Sequence, residues 1–199
     1  MLETLAATLP ARESRRFSYD ELVRTVPESN LPSELWDGEF SMSPAPSYYH
    51  QDIIARLTEI LTAWASREKA GIVRFAPLDV VLSPRFCVQP DIIFISTARK
   101  HMVRRQIQGA PDLVVEVLSE SNWQHDKIEK KALYEQFGIQ EYWIVDPDSR
   151  MVEIWTMRNG EYSLHGRWNK SGFANSPLLA GLQADLELIF AGLDEFSED

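Results

Sequence analysis

The fold is decided by the run Leu113-Val114-Val115-Glu116-Val117-Leu118, in which a single acid interrupts a strand-forming apolar sequence. A strand that is apolar on both faces is typical of the centre of a sheet that is covered on each side. A second such run, Asp91-Ile92-Ile93-Phe94-Ile95, opens with an acid. A buried carboxylate is costly unless a cation or a metal lies beside it. We therefore predict that Asp91 and Glu116 lie on neighbouring strands and share a positive partner.

The hydrophobic pattern around these runs predicts one α/β domain. Apolar residues at helical spacing, a capping box at Ser18 and Glu21, and the turn dipeptide Asn159-Gly160 mark its elements. Gly71 is expected to end the long helix. In chain order, we expect a short helix over 18–26, a long helix over 48–69, strands over 73–82, 88–96 and 112–118, a helix over 125–137, a strand over 141–145, a hairpin over 151–166 and a helical segment over 186–193.

These elements divide the chain into three parts. Residues 1–36 are expected to form an N-terminal leader with a short helix, 37–193 a single α/β domain, and 194–199 an acidic tail. The predicted core of the domain has the order helix, three strands, helix and strand, and a β-hairpin is added to it. The exposed edge of that hairpin, at 151–166, predicts pairing into a homodimer.

Composition and charge exclude several classes of protein. The chain has 199 residues and one cysteine, Cys87, which rules out an intrachain disulfide and a cysteine-rich zinc site. The single cysteine fits a reduced compartment, so we expect a cytoplasmic protein. No apolar run is long enough to span a bilayer. The net charge of −10 resides in residues 1–49 and 185–199, whereas residues 50–184 are neutral. This is not a basic DNA-binding domain, although a local basic surface remains compatible with the sequence.

The two buried acids suit a divalent-metal hydrolytic site. A hard cation such as Mg²⁺ or Mn²⁺ takes carboxylate and carbonyl oxygens and keeps several waters. Asp91 and Glu116 supply two such ligands, and the carbonyl of Val117 supplies a third. A metal held there activates water and stabilises charge on a phosphodiester. The cluster Arg99-Lys100-His101 with Arg104-Arg105 is either a solvated loop or a set of phosphate contacts.

Further motifs accompany these acids. They are Asp37-Gly38-Glu39, Pro44-Ala45-Pro46-Ser47-Tyr48-Tyr49-His50, Gln89-Pro90-Asp91, residues 109–119, Asp126 with Lys130 and Tyr134, and residues 138–147. Taken together over 37–190, these motifs resemble the Uma2 family, a bacterial group of restriction-type endonucleases in the PD-(D/E)XK nuclease superfamily.

The resemblance implies a restriction-endonuclease-like core and a Mg²⁺-dependent endonuclease that acts on nucleic acid, with DNA expected. The superfamily's common acid-x-lysine pattern would place lysine at 118, where Leu118 stands. The resemblance implies that Lys130, on the following helix, takes this role beside Asp91 and Glu116. Glu39 is a candidate further carboxylate, and His50 is a candidate phosphate contact or proton carrier.

Two other functions stay open from the sequence. The acidic composition and the missing lysine at 118 also fit a non-catalytic module on the same fold, which binds or regulates. The neutral centre of the chain also fits a metal-dependent phosphoesterase that acts on nucleotides. These residues also have purely structural interpretations. Glu116 could pair with a structural lysine, and Lys130, Glu39 and His50 could be ordinary surface or helix-start residues.

Overall fold

A six-stranded sheet forms the centre of the protein. The computed structural model describes residues 15–27, 31–119 and 125–193. Neighbouring strands of the sheet are antiparallel except for the central pair, Leu113–Val117 and Glu141–Asp146, which are parallel. In spatial order the strands are β11 (Glu161–Asn169), β10 (Met151–Arg158), β9 (Glu141–Asp146), β8 (Leu113–Val117), β6 (Ile92–Ser96) and β3 (Gly71–Phe75).

Smaller elements cover this sheet. A five-stranded sheet has the order β2 (Glu39–Met42), β1 (Ser33–Trp36), β5 (Phe86–Val88), β4 (Val80–Ser83) and β7 (Ile107–Gln108), and β12 (Phe173–Asn175) pairs with β13 (Gln183–Asp185). The helices are α1 (Tyr19–Thr25), α2 (Tyr48–Arg67), α3 (Lys131–Gln136) and α4 (Leu186–Ile189), with a 3₁₀ segment at Thr97–Met102 and a π-helical turn at His125–Lys130.

Both faces of the central strands are buried, as the apolar runs predicted. Ile92 and Val115 pack on one face with residues of α2, α4 and β13. Ile93 and Val114 pack on the other face with residues of β4, β7 and α3. Because neighbouring residues of a strand point to opposite faces, an unbroken apolar run fills two cores at once.

Two of the predicted strands are each divided in the structure. The run over 73–82 forms the end of β3 and the start of β4, which belong to different sheets, and Ala76 and Pro77 between them are joined by a cis peptide. The run over 88–96 contributes Val88 to β5 and Ile92–Ser96 to β6. Proline has no N–H to donate to a ladder, and Pro77 and Pro90 lie at the two breaks.

The predicted helix ends also need correction. The helix expected over 48–69 ends at Arg67, and Lys69 adopts the left-handed conformation after it, with φ 52°. Gly71 is instead the first residue of β3, where a Cβ atom would lie 2.1 Å from the carbonyl oxygen of Ile95. Gly71 is therefore required by the close approach of β6. The helix expected over 125–137 starts as a π turn, and the segment over 186–193 is helical only over Leu186–Ile189.

The short N-terminal helix forms as predicted and packs on the domain. Ser18 and Glu21 make a complete capping box. The hydroxyl of Tyr19 donates to Asp79 at 2.7 Å, and β1 pairs with both β2 and β5. The division between leader and domain at residue 36 stays a prediction, and the acidic tail at 194–199 lies outside the described residues. No helix in the described ranges is long and apolar enough to cross a membrane.

The expected homodimer is tested at β11, the edge of the six-stranded sheet. An edge strand offers unpaired N–H and C=O groups to a second chain, and Leu164 on β11 is 44% exposed. We expect a dimer at micromolar concentration in sedimentation velocity, and we expect Leu164→Lys to dissociate it. Leu188→Lys is the control that leaves the dimer intact, because the side chain of Leu188 is 57% exposed and lies on α4, away from β11. A wild-type monomer at that concentration would contradict this prediction.

Candidate active site

A cleft of about 1130 Å³ opens where β8 ends and β6 begins. It receives side chains from the second sheet, the start of α2, the two central strands and the π turn. Its polar and charged lining residues include Glu34, Ser43, Ser47, His50, Gln51, Gln89, Asp91, Glu116, Ser119, Lys130, Asp148 and Arg150, and its apolar lining includes Pro44, Pro46, Tyr49, Ala76, Pro77, Val117 and Pro147.

Asp91 stands at the entrance of β6, where two groups hold its carboxylate. Ile92 pairs with Val115, so the same register places Asp91 opposite Glu116, as predicted from the two runs. The N–H of Val117 donates to Asp91 Oδ2 at 2.7 Å, and His50 Nε2 lies 3.2 Å from the same oxygen. Both contacts involve Oδ2, and within the described residues Oδ1 has no hydrogen-bond partner. This second oxygen is therefore available to a ligand in the cleft.

Glu116 lies at the bottom of the cleft and is 2% exposed. The hydroxyl of Tyr134 donates to Glu116 Oε1 at 2.5 Å, and Lys130 Nζ lies 3.2 Å from the same oxygen. Burial, followed by the charge of Glu116, raises the pKa of Tyr134 well above its ordinary value. The phenol therefore stays protonated and fixes the orientation of the Glu116 carboxylate.

Lys130 reaches the acids from the last residue of the π turn. Its Nζ lies 3.0 Å from Glu34 Oε1 and 3.2 Å from Glu116 Oε1, and the residue is 7% exposed. Leu118, where the common superfamily pattern would place a lysine, packs in the apolar core instead. The structure thus brings Lys130 to Glu116 as expected. π-helical turns are rare and occur frequently at functional sites.

Glu34 is the acid that sequence reasoning missed. The dipeptide Asp37-Gly38, with φ of 47° and 84°, forms a tight turn that pairs Glu34 of β1 with Ser41 of β2. A two-residue Asp-Gly connection is a recognisable hairpin signal, and it would have placed Glu34 on a strand that pairs with the residues after the turn. The sequence analysis took Asp37-Gly38-Glu39 as a motif without considering the strand before it.

Glu39 does not reach the cleft. It lies beside the hairpin turn with its side chain 54% exposed, and it pairs with Arg16 at 3.7 Å. His50 does reach the cleft, because Ser47 caps α2 and sets its first turn beside β6. There His50 contacts Asp91, so the structure places it next to a candidate metal ligand.

The basic cluster that follows β6 lies away from the cleft. Arg99 sits in the 3₁₀ segment after the far end of β6, about 17 Å along the strand from Asp91 at roughly 3.3 Å per residue. Its guanidinium pairs with Asp112 at 3.1 Å and donates to the carbonyl of Ala110 at 2.7 Å. Arg99 therefore supports the start of β8, and a contact between this cluster and phosphates stays a prediction.

The donor set of the cleft fits a hydrated divalent cation. No group of three His, Cys, Asp or Glu side chains in the described part of the chain is arranged to hold a metal alone. Mg²⁺, however, is usually bound through one or two carboxylates, with waters and substrate phosphates completing its shell. The carboxylates of Asp91 and Glu116 match that requirement, and Val117 also lines the cleft.

Comparison with known proteins agrees with this architecture. The family model of Uma2, described as "Putative restriction endonuclease", matches residues 19–188. This chain belongs to the Uma2 family. A crystal structure described as a "putative nuclease belonging to DUF820 from Anabaena variabilis ATCC 29413" aligns with a TM-score of 0.72 at 19% identity. The alignment covers 87% of this chain and 97% of that chain. No curated protein matches the chain.

The Uma2 match and the structural likeness bear on different predictions. The likeness, at its low identity, shows the fold, and it confirms the α/β core of restriction-endonuclease type with an added hairpin. The family match confirms the resemblance read from the motifs, including those around Asp91 and Glu116. The chemical roles of the individual residues stay proposals.

The buried position of Lys130 generates a stability prediction. Lys130→Met keeps most of the side-chain volume but leaves Glu34 and Glu116 without their shared cation, so we expect a loss of about 3–5 kcal/mol in the free energy of unfolding. Lys131→Met is the matched control on the next residue. The Lys131 ammonium lies 3.8 Å from the centre of the Trp155 ring, and we expect a loss of about 0.5–1 kcal/mol. Urea unfolding measures both, and equal losses would contradict the prediction.

Proposed function

We propose that this protein is a Mg²⁺-dependent endonuclease that hydrolyses phosphodiester bonds of DNA. The observation that supports it most is the convergence of Asp91, Glu116 and Lys130 in one cleft, with Lys130 Nζ 3.2 Å from Glu116. Family membership supports the same reaction class. Mn²⁺ is expected to replace Mg²⁺, because both favour carboxylate oxygens.

The roles follow from the contacts. Asp91 and Glu116 would hold the cation, with the carbonyl of Val117 as the third ligand from the chain. A bound cation lowers the pKa of a water and stabilises charge on the phosphate. Tyr134 and Lys130 fix one oxygen of Glu116, and the ammonium of Lys130 adds positive charge next to the phosphate. The N–H of Val117 holds Asp91 Oδ2, and the other carboxylate oxygen, Oδ1, would take the cation.

Cleavage of plasmid and single-stranded DNA with Mg²⁺ or Mn²⁺ tests the reaction. We expect Asp91→Asn and Glu116→Gln to reduce the rate by about 100-fold or more, because each removes a metal ligand. We also expect Glu34→Gln to lower the rate, because Glu34 contacts Lys130 in the cleft. Glu39→Gln is the control that retains the rate within about two-fold, because Glu39 pairs with Arg16 outside the cleft.

Two outcomes would contradict the proposal. One is the absence of cleavage of any nucleic acid by a folded, metal-loaded protein. The other is a rate in Asp91→Asn equal to that of the wild type. Cleavage of mononucleotide esters without cleavage of DNA would instead select the nucleotide phosphoesterase.

Metal binding is tested separately by thermal unfolding. A cation that binds the folded chain at about 100 times its Kd adds about 2.7 kcal/mol of stability, which for a chain of this size raises Tm by about 5–10 °C. We expect this rise with Mn²⁺ for the wild type and for Glu39→Gln, and no rise for Asp91→Asn. The absence of a rise in the wild type would favour the non-catalytic module, in which the cleft serves binding without a metal.

A further inference from the structure

The basic cluster, residues 99–105, is a region of concentrated positive charge in an acidic chain. Residues 92–111 contain no Asp or Glu, although the net charge of the chain is −10. Besides His101, the cluster contains four fixed cations: Arg99, Lys100, Arg104 and Arg105. A surface on which lysine and arginine gather in this way is typical of the binding of polyanions.

The backbone of the basic cluster is held in place by its neighbours. The N–H of Thr97, just before the cluster, donates to the carbonyl of Ala70 at 2.8 Å, and Val103 forms an isolated β-bridge with Ile107. The side chain of Met102 is buried in the apolar core. Because the segment is already ordered, a partner that binds its cations does not have to order a loop.

Only part of this positive charge is used by the fold. Arg99 pairs with Asp112 at 3.1 Å. Lys100 and Arg104 are exposed, and neither forms an ion pair with an acid in the part of the chain that the structure describes. Arg104 donates to the carbonyl of Val103, its neighbour in sequence, at 3.0 Å. The charges of Lys100 and Arg104 are therefore available to solvent counterions or to an anionic partner.

The cleft by itself offers little attraction to a polyanion of any kind. Its described lining carries four acids against two fixed cations, Lys130 and Arg150. The ammonium of Lys130 is shared between Glu34 and Glu116, at 3.0 and 3.2 Å. One bound divalent cation would bring the formal charge of this lining to zero and not to a positive value. Since affinity for nucleic acid comes largely from cations that neutralise phosphates, a protein with this cleft needs such cations outside it.

The distance between the cleft and the basic cluster can be spanned by one nucleic acid molecule. β6 leads from the cleft towards the cluster, and Asp91 and Ser96 are about 17 Å apart along it at roughly 3.3 Å per residue. Each base pair of B-DNA adds about 3.4 Å along the axis, so this distance corresponds to about five base pairs. A dinucleotide is too short to reach from one place to the other.

We propose that the basic cluster binds the phosphate backbone of nucleic acid, about five base pairs or more from the phosphate that enters the cleft. This inference rests on the proposed function and identifies a second contact surface for its substrate. Lys100 and Arg104 make the contacts, and Arg99 holds the cluster at the start of β8. Contacts to phosphates carry no sequence information, so the cluster adds affinity and positions the substrate without reading its bases.

The salt dependence of DNA binding tests the inference. Fluorescence anisotropy measures the affinity for a labelled duplex of about 20 base pairs in EDTA, where no metal-dependent cleavage occurs. Each phosphate contact steepens the plot of log K against log salt by about 0.9. We therefore expect Lys100→Gln/Arg104→Gln to make the plot shallower by about 1.8. Lys100→Arg/Arg104→Lys keeps both charges, and we expect it to retain the wild-type slope.

Lys131→Gln/Arg158→Gln is the matched control, because it removes one lysine and one arginine elsewhere. Lys131 contacts the ring of Trp155, Arg158 is exposed at the end of β10, and neither residue lines the cleft. Loss of two positive charges changes the net charge from −10 to −12 in both double variants. We expect the control to keep the wild-type slope. Circular dichroism and Tm check that every variant is folded.

A short substrate separates the basic cluster from the cleft. We expect Lys100→Gln/Arg104→Gln to raise KM for long DNA by about 5- to 30-fold, the range for loss of two exposed ion contacts, with kcat unchanged within about two-fold. For a dinucleotide, which cannot reach the cluster, we expect the kcat/KM of this variant to equal that of the wild type.

The outcomes separate the second surface from the reaction itself. An unchanged salt slope in Lys100→Gln/Arg104→Gln overturns the inference, even if the protein cleaves DNA. Equal changes in the two double variants also overturn it, because total charge would then set the affinity, and so does the absence of DNA binding by the wild type. Cluster-dependent binding without cleavage supports the inference while it contradicts the proposed reaction.

Discussion

The architecture of the site depends on one buried cation shared by two acids from distant parts of the chain. Lys130 lies between Glu34, from the small second sheet, and Glu116, from the central sheet. Isolating any of these charges away from water would cost several kcal/mol. The second sheet and the π turn must therefore close together over β8. The ion pairs of Lys130 with Glu34 and Glu116 fix the positions of the second sheet and the π turn relative to β8 more precisely than apolar packing alone would.

A polar network extends this constraint to the N-terminal helix. Gln89, just before Asp91 in sequence, accepts from the N–H of Ser33 at 3.2 Å and donates to Asp79 at 2.8 Å. Asp79 also accepts from Tyr19 of α1 at 2.7 Å. Ser33 adjoins Glu34, so the network fixes the strand that carries the second acid. The helix at the start of the described chain thus helps to position the site, although it contributes no residue to the cleft.

The sequence predicted site residues best where a charged residue stood within or beside an apolar, strand-forming run. Glu116 within an apolar run and Asp91 at the head of another predicted a pair of neighbouring strands, because a buried acid is costly unless a positive partner lies beside it. Lys130 followed from the family resemblance. Glu34 was not predicted, because Ser33–Trp36 is a short strand whose pairing depends on the hairpin turn and on β5. Long-range pairing of short strands leaves little periodic signal in one sequence.

The formal charges at the centre of the site explain why a divalent ion suits it. With ionised carboxylates and a protonated lysine, Glu34, Asp91 and Glu116 together with Lys130 carry a formal charge of −2. A second fixed lysine, as at position 118, would reduce that charge and weaken the attraction for a dication. The chain instead buries Leu118 in the core and provides a single lysine from the helix. One lysine is then enough to stabilise two acids before metal binds, and the remaining charge matches one divalent ion. On this argument the single lysine at 130 preserves the charge balance that the proposed metal site requires.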